Sequence, residues 1–252
     1  MISNFEKVIE FNTTFGLPHY DIPQENVFNQ NAKLAELRYS LIHEEVNELN
    51  DAFNDHNFIE VIDALTDILY VIYGAASSFG FNITNTYFKR HENKNEKVSI
   101  FENCREDTDR IDKDDIKTFY ECPIGQQYLT IIKTLLGQLN LAKLNGEYLN
   151  TVNILTEMLD FTYRLGSYFD IDLNKSFDIV HSSNMSKVCK NETEAQETVE
   201  WYKQNETRYD SPSYKLADDD ETRYIVYNKS TGKILKNINY VAAKFDSMIT
   251  NI

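Results

Sequence analysis

The most constraining feature of this chain is that it matches itself. At an offset of 90 residues and without a gap, the stretch around Arg38–Phe79 falls on a second stretch within Gln127–Phe177. Ile42 falls on Ile132, Leu49 on Leu139, Asn50 on Asn140, Ala52 on Ala142 and Leu65 on Leu155. Thr66, Leu69, Tyr73, Ser77 and Phe79 fall on Thr156, Leu159, Tyr163, Ser167 and Phe169. Any two amphipathic hairpins share some leucines, but the single register and the matched Asn, Thr, Tyr and Ser positions mark a tandem duplication. Each copy reads as two helices joined by a short polar turn, an αα-hairpin. A hairpin with one apolar side needs a partner face, so residues 31–88 and 127–180 are predicted to pack as a pseudo-symmetric four-helix bundle in an all-α fold.

The two copies differ in charge. In the first, Leu34, Leu37 and Leu41 step by three and four, and Glu45, Glu48 and Ala52 continue the same line, with Glu44 on its border. The next pattern, Phe58 to Phe79, is apolar nearly all round, and Glu60, Asp63 and Asp67 interrupt it on one line. The second copy carries Thr134, Leu135, Gln138, Asn150 and Asn153 at the corresponding positions and keeps only Glu157, opposite Asp67. Carboxylates buried without partners take up a proton or a cation. A hard divalent ion such as Mg²⁺ or Mn²⁺, which prefers oxygen ligands, is the economical resolution. Any one of these acids alone reads as an ordinary solvated or ion-paired helix residue. Their agreement on two adjacent helices favours one metal cluster in the first copy, with the second copy as scaffold.

Composition narrows the function. A net charge of -15 and the lack of a Lys/Arg block argue against a nucleic-acid partner. An acidic protein that handles a polyphosphate needs metal ions to screen the charge. The 42% of hydrophobic residues suffices for a sizeable core. Cys104, Cys122 and Cys189 form no CxxC pair, which suggests a reducing compartment and neither a disulfide framework nor a zinc site. The N-terminus carries acids where a signal peptide has its apolar stretch, and no run is apolar long enough to span a bilayer. A cytoplasmic protein without membrane contact is the expectation.

The rest of the chain completes a single domain. Residues 3–15 show helical spacing that stops at Gly16-Leu17-Pro18. Residues 89–126 are strongly charged with little periodicity and read as a long surface linker. In the tail, 181–252, residues 191–206 are polar and compatible with a helix. The pattern from Tyr224 alternates around Ser230-Thr231-Gly232 as a small β-hairpin, and VAAKFDSMI suggests a short final helix.

These motifs carry a resemblance. Glu44-Glu45-x-x-Glu48, followed by DALTDILYVIYGAA and later by VHSSNMSK and GKILKNINY, resembles the phosphoribosyl-ATP pyrophosphohydrolase-like branch of the all-α nucleotide pyrophosphohydrolases. That superfamily includes MazG and the dimeric dUTPases, and the opening FNTTFGLP is similar to this branch as well. The resemblance implies a helical bundle that binds Mg²⁺ or Mn²⁺ and hydrolyses a nucleoside triphosphate to the monophosphate and pyrophosphate. Glu45 and Glu48 match metal ligands of the first motif, Glu44 matches its first acid, and Asp67 matches the aspartate that ends the second motif. Many superfamily members have Glu three residues before that aspartate, where this chain has Ala64. Asp63, one turn before Asp67, or Glu60, through Glu60-x-x-Asp63, is the candidate substitute, and both stay open.

Glu44 is, by position, a candidate to orient or deprotonate the attacking water. Arg38 and Lys187 are candidate phosphate contacts, against a salt-bridge role for Arg38 and a merely solvated one for Lys187. Asn184 is a candidate substrate contact and, with residues near Asn12 and Phe15, is expected to help decide base and sugar preference. Because family members pair hairpins between subunits, the second copy is expected to replace a partner, giving a monomer that acts as a pseudo-dimer, or a homodimer. A metal-dependent nucleotide-binding protein without turnover is the competing reading. A purely structural bundle leaves the acids unexplained.

Overall fold

Asparagine and glycine punctuate the helices. The computed structural model describes residues 2–92, 94–112 and 115–248. Helix α1 (Asn4–Phe15) starts at a capping box between Ser3 and Glu6 and stops at Gly16, whose φ of 62° is left-handed. A short α2 (Val27–Gln30) leads into α3 (Ala32–Asn54), whose first turn is capped by the Asn31 side chain. Asn57 caps α4 (Phe58–Phe79), which ends at Gly80. That glycine is obligatory, because a Cβ there would lie 1.8 Å from the carbonyl oxygen of Ile22. Then come α5 (Ile83–Arg90), α6 (Ile100–Glu106), α7 (Pro123–Asn145), α8 (Tyr148–Tyr168) and α9 (Leu173–Met185).

The two predicted hairpins are α3–α4 and α7–α8, and they pack on each other along α3 against α7 and α4 against α8. The hydroxyls of Tyr73 and Tyr163 meet at 2.9 Å. These two residues are equivalent under the 90-residue offset, so their contact marks the pseudo-two-fold axis. The repeat extends to the third helix of each copy: Asn82 caps α5 and Asp172, 90 residues later, caps α9. Those third helices are exchanged, with α9 lying on α4 and α5 on α8. The third helix of each copy therefore covers the second helix of the other. The core between them includes Ile42, Leu49, Leu65, Leu139, Leu155 and Leu159.

The segment 89–126 departs from expectation. Instead of running over the surface it forms α6, capped by a box between Ser99 and Glu102, and a 3₁₀ turn at Asp115–Glu121. It buries Ile100, Phe101, Cys104, Ile116 and Phe119. Phe119 packs edge-on against Phe53, Phe58 and Phe169. Its apolar residues come in groups too short to show periodicity among the charges. Asn93, Lys113 and Asp114 of this segment lie outside the described residues.

The tail contains α10 (Glu192–Asn205) and a three-stranded antiparallel sheet of β1 (Val188–Cys189), β2 (Pro212–Leu216) and β3 (Tyr224–Asn228), in the order β1-β3-β2. The chain turns back at Ser230-Thr231-Gly232 as expected, with Asn228 N donating to the Lys233 carbonyl, Leu235 N to the Val226 carbonyl and Tyr227 bridged to Ile234, while β3 is also paired with β2 before it. The final helix is a 3₁₀ turn, Asp246–Met248, and Ile249 lies outside the described residues. Helix α10 covers the sheet over Cys189, Ala195, Val199, Tyr202 and Val226, while Phe15, Ala217 and Ile225 join it to α1. No helix among the described residues is long and apolar enough to cross a membrane.

Leu155 is fully buried where the hairpins meet. Leu155→Asp should abolish cooperative unfolding of the whole chain, since an unpaired carboxylate in this core costs upward of about 4 kcal/mol. Urea denaturation followed by far-UV circular dichroism checks this.

Candidate active site

Four carboxylates from the first copy converge between α3 and α4. Glu45 continues the buried line Ile42–Val46–Leu49 of α3, and Asp63 and Asp67 lie one turn apart on α4, each half-buried. Glu48 stands one turn beyond Glu45, at the exposed edge. Burial pushes the Glu45 carboxyl up to about 9, and the charges of Asp67, Glu48, Glu44 and Asp63 all add to the effect. Burial, then Asp63, raises Asp67 to about 7. Asp63 rises to about 6 through burial and the charges of Glu60 and Glu48. Glu48 is raised by burial and then by Glu44 and Glu60. Glu44 and Glu60 themselves are exposed, on the rim of the cluster.

Glu45 Oε2 is buried and has no hydrogen-bond partner. A carboxyl oxygen left in that state, among three more carboxyl groups, suits a cation that displaces the proton. Oxygen donors alone make up the set, which is the chemistry Mg²⁺ or Mn²⁺ prefers. As they stand, no group of three or more His, Cys, Asp or Glu among the described residues is closed into a ready ligand cage.

Cations face the acids from the other copy and from the tail. Burial lowers Lys187 to about 8, Asp67 and Glu45 oppose that, and Lys236 and Lys233 reinforce it. Lys236 in turn lowers both Asp63 and Asp67. The Lys187 ammonium donates to Asn184 Oδ1 at 2.6 Å. Nearby, the Tyr70 hydroxyl lies 3.1 Å from His181 Nδ1. Lys187, in the turn just past α9, thus sits beside the acid cluster, with Asn184 of α9 bonded to it. Lys233 and Lys236 did not stand out as site residues in the sequence; the only signal was the pair of lysines within GKILKNINY.

Arg38 lies apart. It is buried, its Nε donates to Ser78 Oγ at 2.9 Å, and burial alone lowers it to about 10, with no carboxylate contributing. It passes Gly74, where a Cβ would lie 3.0 Å from its Nη1, and it borders a small pocket with Phe28, Tyr39 and Lys143. No salt bridge ties it to the acids among the described residues. Asn12 donates to Ser77 Oγ at 3.2 Å, and Asn12 and Phe15 are buried in packing.

The second copy resolves the same position differently. Glu157, the counterpart of Asp67, is ion-paired with Arg90 of α5, which also donates to the Asn153 carbonyl at 3.2 Å. An arginine stands where the first copy gathers its acids.

Raised carboxyl pKa values have a defined consequence for stability. In the folded, metal-free chain Glu45, Asp67 and Asp63 hold protons that the unfolded chain has already released, so unfolding liberates protons and rising pH favours it. Their contribution is fully present below the ordinary carboxylate range and is lost as pH climbs toward about 9. Thermal midpoints in a chelator should fall by on the order of 5–10 °C between about pH 5 and about pH 9, and Glu45→Gln should remove most of that slope.

Comparison with known proteins fits this geometry. The family model for phosphoribosyl-ATP pyrophosphohydrolase matches residues 8–94, which take in α1 to α5 and stop short of the second copy. An uncharacterized protein of Acanthamoeba polyphaga mimivirus is 35% identical over 259 aligned residues, covering 98% of this chain and 96% of the relative. No solved structure matches. Through its acid-bearing first copy, over residues 8–94, the chain carries a domain of the phosphoribosyl-ATP pyrophosphohydrolase family.

Proposed function

We propose that the chain hydrolyses a nucleoside triphosphate to the monophosphate and pyrophosphate, with Mg²⁺ or Mn²⁺ as cofactor. The observation that carries this reading is the unpartnered, buried Glu45 oxygen within a cluster completed by Glu48, Asp63 and Asp67. These four residues would hold the cation, which when bound neutralises phosphate charge and makes water more acidic. Asp63 rather than Glu60 takes the place of the acid missing at Ala64, because it is half-buried beside Asp67 while Glu60 is exposed. Glu44, at the solvent-facing rim, accepts the proton of the attacking water. Lys187 and Asn184, held to each other at 2.6 Å, bind phosphate oxygens from the side opposite the acids. Apolar α4 walls off bulk water behind the cluster. All of these residues belong to one chain, which supports the reading of a monomer acting as a pseudo-dimer.

The competing reading, nucleotide binding without turnover, rests on buried Ala64, which offers no ligand where many superfamily members have Glu. A panel of ribo- and deoxyribonucleoside triphosphates with Mg²⁺ or Mn²⁺ separates the two. Pyrophosphate and monophosphate in equal amounts are expected; orthophosphate release, or binding without product, overturns the hydrolase reading.

Glu48→Gln should lower kcat/KM at least about a hundredfold with the helical spectrum unchanged. Asp63→Asn should weaken Mn²⁺ binding by about tenfold or more and Glu60→Gln by much less, as read by metal titration.

A further inference from the structure

Arg38 is a buried cation without a resident counter-charge. Only 7% of it is exposed, and its one hydrogen-bond partner among the described residues is Ser78, which accepts from Nε at 2.9 Å. That serine is neutral, and its own hydroxyl donates onward to the Pro18 carbonyl at 2.6 Å. No carboxylate offsets the cost of burying the guanidinium. Arginine does not escape this cost by losing its proton, so the Nη groups keep both their charge and their need for an acceptor.

The second copy contains the answer that the first lacks. Under the 90-residue offset Gly74, which the Arg38 guanidinium passes, falls on Arg164, and Tyr70 falls on Asp160. Arg164 donates from Nε to Asp160 Oδ2 at 2.9 Å, one turn away on the same helix. In the first copy the guanidinium comes from α3 instead of the following helix, and a tyrosine stands in place of the acid.

Arg38 lines a small pocket where the copies meet, with α3 on one side and α7 and α8 on the other. Thr151 of α8 lines it too, and its Oγ is buried without a hydrogen-bond partner. Further along α8, Thr156 and Thr162 donate to the carbonyls four residues back, at 2.8 and 2.7 Å, so the free hydroxyl of Thr151 is a departure from its neighbours. Lys143 of α7 stands at the rim, its ammonium 4.1 Å from the centre of the Tyr39 ring and 2.6 Å from Glu36. The rest of the wall is largely apolar, and no carboxylate lines it among the described residues. The space amounts to ≈ 10 Å³, about what one water-sized particle fills. A phosphate group is too large for it. A water molecule would satisfy the N–H and O–H groups and leave the charge standing, whereas a monatomic anion answers both.

We infer that this pocket binds one chloride ion, held by the Arg38 guanidinium and the Thr151 hydroxyl with Lys143 at its mouth. Arg38 belongs to the first copy and the other two residues to the second, so the ion ties the copies together. This site stands apart from the acid cluster and does not depend on the hydrolase reading.

The experiment is thermal unfolding of the full chain in a chelator at constant ionic strength, with chloride or bromide replacing gluconate, for wild type, Thr151→Val and Arg38→Met. The wild-type midpoint should rise saturably, by on the order of 5 °C at about 0.5 M of either halide. Thr151→Val keeps the side-chain shape and should raise the halide concentration needed for half of that response at least about fivefold, while Arg38→Met should abolish the response. Crystals soaked in bromide should show an anomalous peak between Arg38 and Thr151. A wild-type midpoint that does not rise with halide overturns the site, as does an equal rise in wild type and Thr151→Val, or a bromide-soaked crystal with only water in the pocket. Should Arg38→Met fail to fold, Thr151→Val and the soaked crystal still decide.

Discussion

Two apolar hairpin faces, each unable to bury itself, are the constraint on which this molecule rests. Burial of apolar area is the dominant favourable term in folding, and a two-helix hairpin leaves about half of its apolar surface wet. Pairing α3–α4 with α7–α8 inside one chain removes that surface from water without an association step. The Tyr73–Tyr163 hydrogen bond sits where the axis passes, in the only region where equivalent residues can touch. Exchange of α5 and α9 follows from the same symmetry, since each third helix finds its apolar seat on the opposite copy.

That exchange makes the site composite. The carboxylates come from the first copy, whereas Asn184 comes from the third helix of the second copy and Lys187 from the turn just after it. A duplicate whose own acids have gone therefore still contributes side chains to the site. On the other side of the axis, α5 supplies Arg90 to Glu157. One fold thus contains two electrostatic solutions: repelling carboxylates that call for an external cation, and a single carboxylate neutralised by a resident guanidinium.

The hairpins were legible because their signals are local and long. The α4 boundaries follow from Asn57, the apolar run and Gly80, and the 90-residue register needs nothing beyond the sequence. The segment 89–126 was misread because Ile100, Phe101, Cys104, Ile116 and Phe119 are too few per turn to stand out among charges; only packing of α6 on α8, and of Phe119 against Phe53 and Phe169, makes them core. The tail sheet was half-read for a related reason. The turn at Ser230-Thr231-Gly232 is local and legible, whereas the pairing of β3 with Pro212–Leu216 is not, because it depends on where α10 packs.

In the site, the sequence alone determined which acids share a helix line and that the second copy lacks them, because side-chain direction on a helix follows residue spacing. It also determined the family, through motifs whose residues stand in order along the chain. Tertiary structure decided everything that depends on distance between elements: that Arg38 stays apart from the carboxylates while Lys187 and Lys236 act on Asp67, that Glu157 is answered by Arg90, and that Glu45 keeps one oxygen without a partner. The physical reason is that burial and Coulomb interaction depend on proximity in space, and proximity between α4, α9 and the tail is set by packing that no single segment encodes.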